Sequence, residues 1–216
     1  RKALIPHPDK KQGLGRWSTH SLPNMGYGYA IEMPPIRTLV LYNAVANGGK
    51  MMAPRLIKEI RRGDEVEEKF APRVLVDKIC SDKALAIVQE CLEETARTGT
   101  TKRYFTDSLT FRVGSKTGTA IVAQDGNGNG APYGSYYLAT VVAYFPADNP
   151  KYTVMTAIHT DRRRGHAYYG ASLAGPVVEQ VVDYIYYRDE DWHQTLTTSS
   201  NEHFPTAVKG GNVEQV

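Results

Sequence analysis

The sequence predicts an α/β chain of the α+β type, an antiparallel sheet covered by helices. Three segments, about 111–123, 136–146 and 152–159, are rich in the β-branched and aromatic residues that favour strands. Their connectors, built around residues 125–130 and 146–150, are turn chemistry of Asp, Asn, Gly and Pro, so the three strands form a meander. Two longer segments, about 82–97 and 172–187, repeat apolar residues at helical spacing. A chain of 216 residues, 41% hydrophobic and 23% charged, can bury a sizeable core as one domain.

Residues 1–30 show no clear period. Pro34 and Pro35 then open a helix, where a missing N–H costs little. Ile36, Leu39, Val40, Tyr42 and residues 44–46 continue it, and Asn47-Gly48-Gly49 ends it with residues that tolerate a left-handed cap. Residues 51–60 and 66–70 read as two strands around the turn Arg62-Gly63-Asp64. Ser81 is placed to cap a helix over 82–97, with Leu85, Val88, Cys91, Leu92 and Ala96 as its buried face and Gly99 as its stop. In the last helix Leu173, Val177, Val178, Val181, Val182 and Ile185 are expected to face the sheet. Residues 1–188 read as part of one domain without repeats, and 189–216 as a loose polar tail.

Several function classes are excluded. Lys plus Arg is 26 against 23 for Asp plus Glu, and a net charge of +3 does not make a nucleic-acid face. Cys80 and Cys91 lack metal-ligand spacing, as do the histidines, so neither metal nor cofactor is expected. The longest apolar run, 138–145, is a strand and not a membrane span. The chain opens at Arg1 without an initiator Met or a signal peptide, and a piece of a longer protein is the expectation. A phosphate-binding loop would need glycines where Ser115 and Thr110 stand. Residues 125–130 match half a calcium loop, but Tyr136 replaces its bidentate Glu, so a hairpin loop is expected. The basic cluster at 161–165 reads as a solvated turn.

The chemistry concentrates at Lys116-Thr117-Gly118-Thr119. Side chains alternate along a strand, so Thr117 and Thr119 share one face and Lys116 and Gly118 the other. Two hydroxyls on one face can both donate to a carboxylate, and Gly118 leaves room for a ligand backbone. On an edge strand the Thr119 N–H can donate to an oxyanion, with Lys116 supplying positive charge. By itself the tetrapeptide occurs often by chance and reads more readily as an ordinary polar surface strand.

The order of several such patterns resembles the C-terminal part of a class B penicillin-binding protein transpeptidase domain, over roughly residues 20–187. Residues 21–28 and 41–55 resemble the helix and strand ahead of that family's Lys-Thr-Gly strand. Thr98-Gly99-Thr100 resembles the end of the next helix, and residues 116–120 the Lys-Thr-Gly motif itself. Residues 144–152 resemble the turn between its last strands, and Tyr168-Tyr169-Gly170 with residues 174–177 the start of its final helix. The septal, cell-division subgroup is the best match. The resemblance implies a portion of the penicillin-binding/β-lactamase-like fold and a serine D,D-transpeptidase that crosslinks peptidoglycan stem peptides. It implies D-Ala-D-Ala ends and β-lactams as ligands, division proteins as partners, and the outer face of the cytoplasmic membrane as location, with the anchor outside this chain. It gives Thr117 and Thr119 the substrate carboxylate, the Thr119 N–H half of the oxyanion hole, Gly118 the close approach and Lys116 the local field.

The departures matter as much. No lysine has a serine three residues before it, so the family's Ser-x-x-Lys is absent. A formal Ser-x-Asn, Ser199-Ser200-Asn201, lies in the tail and reads as chance. Without nucleophile and base the chain alone is expected to be inactive. Pro34 stands where relatives tend to have Thr, and Ser115 where they tend to have Gly. The family's sheet takes two more strands from upstream, so the 152–159 strand is expected to be a bare edge prone to self-association. A non-catalytic module that binds peptidoglycan or division proteins is the alternative, and a β-lactamase a weaker third.

Overall fold

The computed structural model describes residues 3–13, 15–105, 111–121, 136–161 and 167–189. Along these residues run α1 (Ser21–Gly26), α2 (Pro35–Ala46), β1 (Met51–Met52), β2 (Glu59–Arg62), β3 (Glu65–Lys69) and β4 (Val74–Val76). They are followed by α3 (Asp82–Arg97), α4 (Lys102–Phe105), β5 (Gly114–Ile121), β6 (Tyr136–Phe145), β7 (Tyr152–Asp161) and α5 (Gly170–Arg188). The expected loop at 125–130 and the tail beyond Asp189 lie outside the described residues. Two compact units divide the chain, Arg1–Glu179 and Gln180–Val216, a boundary that falls within α5.

The meander is present. β5, β6 and β7 form an antiparallel sheet in that order, with unbroken registers from Gly114↔Tyr144 to Ile121↔Tyr137 and from Tyr136↔Asp161 to Phe145↔Tyr152. Period-2 alternation then puts Gly114, Lys116 and Gly118 with Tyr144, Val142 and Thr140 on one face. Ser115, Thr117 and Thr119 share the other with Ala143, Val141 and Ala139, and those three β6 residues are fully or almost fully buried. Both outer strands are edges among the described residues. β7 runs for ten residues without proline, lysine, arginine or a break in register, so nothing in it blunts pairing with another strand.

Proline opens α2 as expected, and the close follows the Gly48 and Gly49 signal, both at positive φ, with Gly49 N–H donating to Ala44 O. Ser81 caps α3, its hydroxyl accepting from Ala84 N–H at 3.3 Å. α2, α3 and β6 enclose a core of Val45, Ala46, Leu85, Leu92, Tyr144 and Ala147. Gln89 ties the two helices, its Nε2 donating to Val45 O at 2.9 Å. Tyr144 is fully buried over Gly114, which has no Cβ to displace the ring. On the far side Tyr104 of α4 sits against Gly175 of α5 and donates to Ala171 O at 2.7 Å.

Four sequence expectations are corrected. The strand expected over 51–60 is two strands, because Pro54 has no N–H to donate and the chain leaves the sheet there. β1 pairs with the unforeseen β4, while β2 pairs with β3 through the two-residue turn Gly63-Asp64. Val88 and Cys91 point outward, since the buried line of α3 runs through Leu85, Leu92 and Ala96. In α5, Val177 is exposed whereas Ala174 and Val178 are fully buried. Short α1 and α4 also had no signal, being too brief to show a period.

The β2–β3 hairpin carries its exposed Ile60 and Val66 and a bulge between Ile60 and Arg61. Among the described elements its substantial packing is strand against strand.

Candidate active site

The site begins with how β5 leaves the core. Gly114 and Ser115 are buried, and at Lys116 the strand emerges. Ser115 is anchored by a hydroxyl pair, its Oγ 2.6 Å from Thr101 Oγ1, which in turn donates to Thr95 O at 3.1 Å. Thr101 and Ser115 are both buried, so the pair locks the turn after α3 to the first residues of β5. In the same turn Gly99 allows close passage: a Cβ there would stand 2.8 Å from Thr95 O. At the end of α3, a bond from Thr98 Oγ1, then Arg97, hold the Glu94 carboxyl below the usual range.

The four residues singled out in the sequence lie together along this edge. Lys116 extends along it, Nζ donating to Thr117 O at 2.7 Å. Thr117 Oγ1 lies 3.1 Å from Thr100 Oγ1. Gly118 accommodates Thr140 of β6, whose Oγ1 donates to Gly118 O at 3.3 Å and would be 2.5 Å from a Cβ on Gly118. Thr119 Oγ1 accepts from Gly170 N–H at 3.0 Å, which seats the start of α5 on the edge.

The direction of the Thr119 N–H follows from strand parity. Ile121 N–H donates to Tyr29 Oη at 3.2 Å, so it points away from β6. In an antiparallel edge strand alternate residues turn both backbone polar groups outward. Thr119 and Thr117 share that parity, and Lys116 Nζ finds Thr117 O on the same outer side. Among the described residues no acceptor takes the Thr119 N–H. The edge thus offers an outward N–H, two hydroxyls and a cation. That set can hold an anion and stabilise developing negative charge.

The family profile described as penicillin binding protein transpeptidase domain matches residues 3–183. The chain belongs to that family. Stage V sporulation protein D of Bacillus subtilis is 26% identical over 159 residues, 72% of this chain and 23% of that protein. The peptidoglycan D,D-transpeptidase FtsI homolog of Mesostigma viride is 28% identical over 171 residues, 73% of this chain and 27% of that protein. The chain spans about a quarter of the length of these curated relatives. Penicillin-binding protein 3 of Mycobacterium tuberculosis, solved in complex with aztreonam, aligns with a TM-score of 0.67 at 22% identity, over 87% of this chain and 41% of that one. The fold is therefore a portion of the penicillin-binding transpeptidase fold, as the sequence resemblance implies.

In this transpeptidase-family chain, sequence reasoning missed the residues behind the edge. Thr100 was legible only within the Thr98-Gly99-Thr100 resemblance and Ser115 only as a departure from it, and Thr101 had no signal; their contacts with β5 show only when the turn after α3 is laid beside that strand. Gly170 was legible as part of a helix start, but not as a contact of Thr119, 51 residues away. The basic cluster at 161–165 is not part of the described geometry beyond Asp161 itself.

Proposed function

We propose that this chain is the carboxylate- and oxyanion-binding part of a serine D,D-transpeptidase active site, with the nucleophile supplied by residues outside these 216. The observation that carries the reading is the β5 edge, along which lie the Thr117 and Thr119 hydroxyls, the outward Thr119 N–H and Lys116. In the reaction, a serine oxygen attacks the penultimate D-Ala carbonyl of a stem peptide and its proton passes to a base. The Thr119 N–H receives the developing oxyanion, and collapse expels D-Ala as the amine with the proton returned. A neighbouring stem amine then takes the acyl group and restores the serine. The Thr117 and Thr119 hydroxyls hold the terminal carboxylate, which a β-lactam carboxylate imitates. Gly118, without a side chain, admits the Thr140 hydroxyl beside the strand.

The name of the Mesostigma viride relative, a peptidoglycan D,D-transpeptidase, supports a peptidoglycan substrate. With that substrate the place of action is the cell envelope, on the outer face of the cytoplasmic membrane. No helix among the described residues is long and apolar enough to cross a membrane. The septal role, and division proteins as partners, are the finer reading. A non-catalytic binding module is the second, favoured by the missing Ser-x-x-Lys.

Intact-mass spectrometry after incubation with a penicillin tests the reading. The 216-residue chain is expected to gain no adduct, and the longer parent polypeptide one acyl group. Thr119→Val in the parent is expected to slow acylation about tenfold or more, since a hydrogen bond to a charged group contributes about 1.5–3 kcal/mol. A parent without an adduct would favour the non-catalytic module; an adduct on the chain alone would show a nucleophile within it.

The unblunted β7 edge supports a further part of the reading, self-association of the isolated chain through that strand. Sedimentation is expected to show a concentration-dependent dimer or larger species. A strict monomer at high concentration would refute it.

A further inference from the structure

Thr117 and Thr119 each stand in front of another group. Thr119 Oγ1 accepts from the Gly170 N–H at 3.0 Å. A hydroxyl has one proton to give, and Thr119 does not spend it on Gly170, because that partner is a donor. Its proton remains for whatever lies in front of the edge. Thr117 likewise has a second group against it, with Thr100 Oγ1 3.1 Å from its own hydroxyl. Between two hydroxyls either can donate. If Thr117 donated to Thr100, it would present a ligand with lone pairs only, and an anion would be repelled.

We propose that Thr100 is a positioning residue that donates to Thr117 Oγ1, so that Thr117, like Thr119, turns its single proton toward a bound carboxylate. The inference rests on the carboxylate-binding reading of the β5 edge and adds a residue to it. Hydrogen-bond chains polarise, so a Thr117 that accepts from Thr100 is also the stronger donor to an anion. The two backing groups come from different elements. Thr100 belongs to the turn between α3 and α4, and Gly170 begins α5. The turn is fixed from below, since the neighbouring Thr101 is buried and bonded to both Thr95 O and Ser115 Oγ. Thr100 therefore stands on a rigid base two positions before the short helix α4, while its own side chain is exposed. This also gives Ser115 a purpose: its hydroxyl fastens the turn to the strand it serves.

The test is binding by the whole chain of diacetyl-Lys-D-Ala-D-Ala and of the same peptide with its C-terminal carboxylate converted to an amide, followed by amide NMR shifts along β5. Wild type is expected to prefer the acid. Thr100→Val keeps the shape and removes the hydroxyl; it is expected to weaken the acid about three- to tenfold, the scale of one hydrogen bond, and to leave the amide peptide unchanged. Thr100→Ser restores the hydroxyl and is expected to restore the acid preference. Unchanged acid binding by Thr100→Val overturns the proposal and leaves the carboxylate reading standing. An equal loss on both peptides, or a Thr100→Ser as weak as Thr100→Val, overturns it in favour of a merely structural residue. A wild-type chain that does not prefer the acid overturns the carboxylate reading and the role of Thr100 with it.

Discussion

Gly170→Ala is expected to destabilise the chain by about 3 kcal/mol and to lower its melting temperature by roughly 6–12 °C. The added Cβ would meet Gly118 O well inside van der Waals contact and Thr140 O at 2.5 Å. Both are backbone carbonyls of a paired residue couple at the centre of the β5–β6 ladder, so neither can rotate aside. The intrinsic helix preference for alanine, about 1 kcal/mol in a helix interior and less at a first residue, does not offset this. The clash pushes the start of α5 off the sheet and stretches the Gly170 N–H bond to Thr119, so the site suffers with the fold. Thermal unfolding checks the first effect. An unchanged melting temperature would mean that α5 does not seat on the Gly118–Thr140 pair.

The second large effect concerns Gly114 and Tyr144. A Cβ on Gly114 would overlap the ring carbons of Tyr144 and stand 2.5 Å from its oxygen. The ring is fully buried among Val45, Leu85, Leu92 and Ala147, and has nowhere to go. Gly114→Ala is expected to cost about 3 kcal/mol, at the upper end for overpacking. Shrinking the ring site with Tyr144→Val should recover part of that loss, giving non-additive energies in a double-mutant cycle. Tyr144→Phe is expected to act oppositely from Gly114→Ala and to stabilise by about 1 kcal/mol, because the buried Tyr144 hydroxyl has no hydrogen-bond partner among the described residues. Burial above all, then the charge of Glu93, pushes that hydroxyl well above its ordinary pKa, with Arg112 pulling the other way. Since the folded state holds the proton more tightly, stability is full below the unfolded value of about 10 and falls as pH rises past it. Tyr144→Phe should remove that part of the alkaline loss. Denaturant titrations at neutral and alkaline pH measure both effects; a destabilised Tyr144→Phe at neutral pH would show that the hydroxyl has a partner after all.

What could be read from the sequence was whatever a local pattern determines. The three long strands alternate and are bounded by turn residues, and Ser81 caps its helix within three positions. Lys116-Thr117-Gly118-Thr119 was legible because its residue types announce their chemistry at adjacent positions. What was not legible depends on neighbours distant in the chain. Val88 and Cys91 fit the helical spacing as well as Leu92 does, and only the positions of α2 and β6 decide which side is buried. The interruption after Met52 required weighing one proline against a run of apolar residues. Thr100 and Thr117 are 17 residues apart, and Thr119 and Gly170 are 51 apart, so no spacing rule joins them.

The β2–β3 hairpin behaves as an appendage in thermodynamic terms. Among the described elements its strands lean on each other and on little else, with every residue of β3 exposed. A two-stranded ribbon without a covering layer is marginal in water. Its amides should therefore exchange with solvent through local opening, at a small fraction of the free energy that protects the β6 amides. Length changes at Gly63-Asp64 would then pass almost unnoticed by the β5 edge, which makes the hairpin tip a place where evolution can lengthen, shorten or recharge the surface without disturbing that strand.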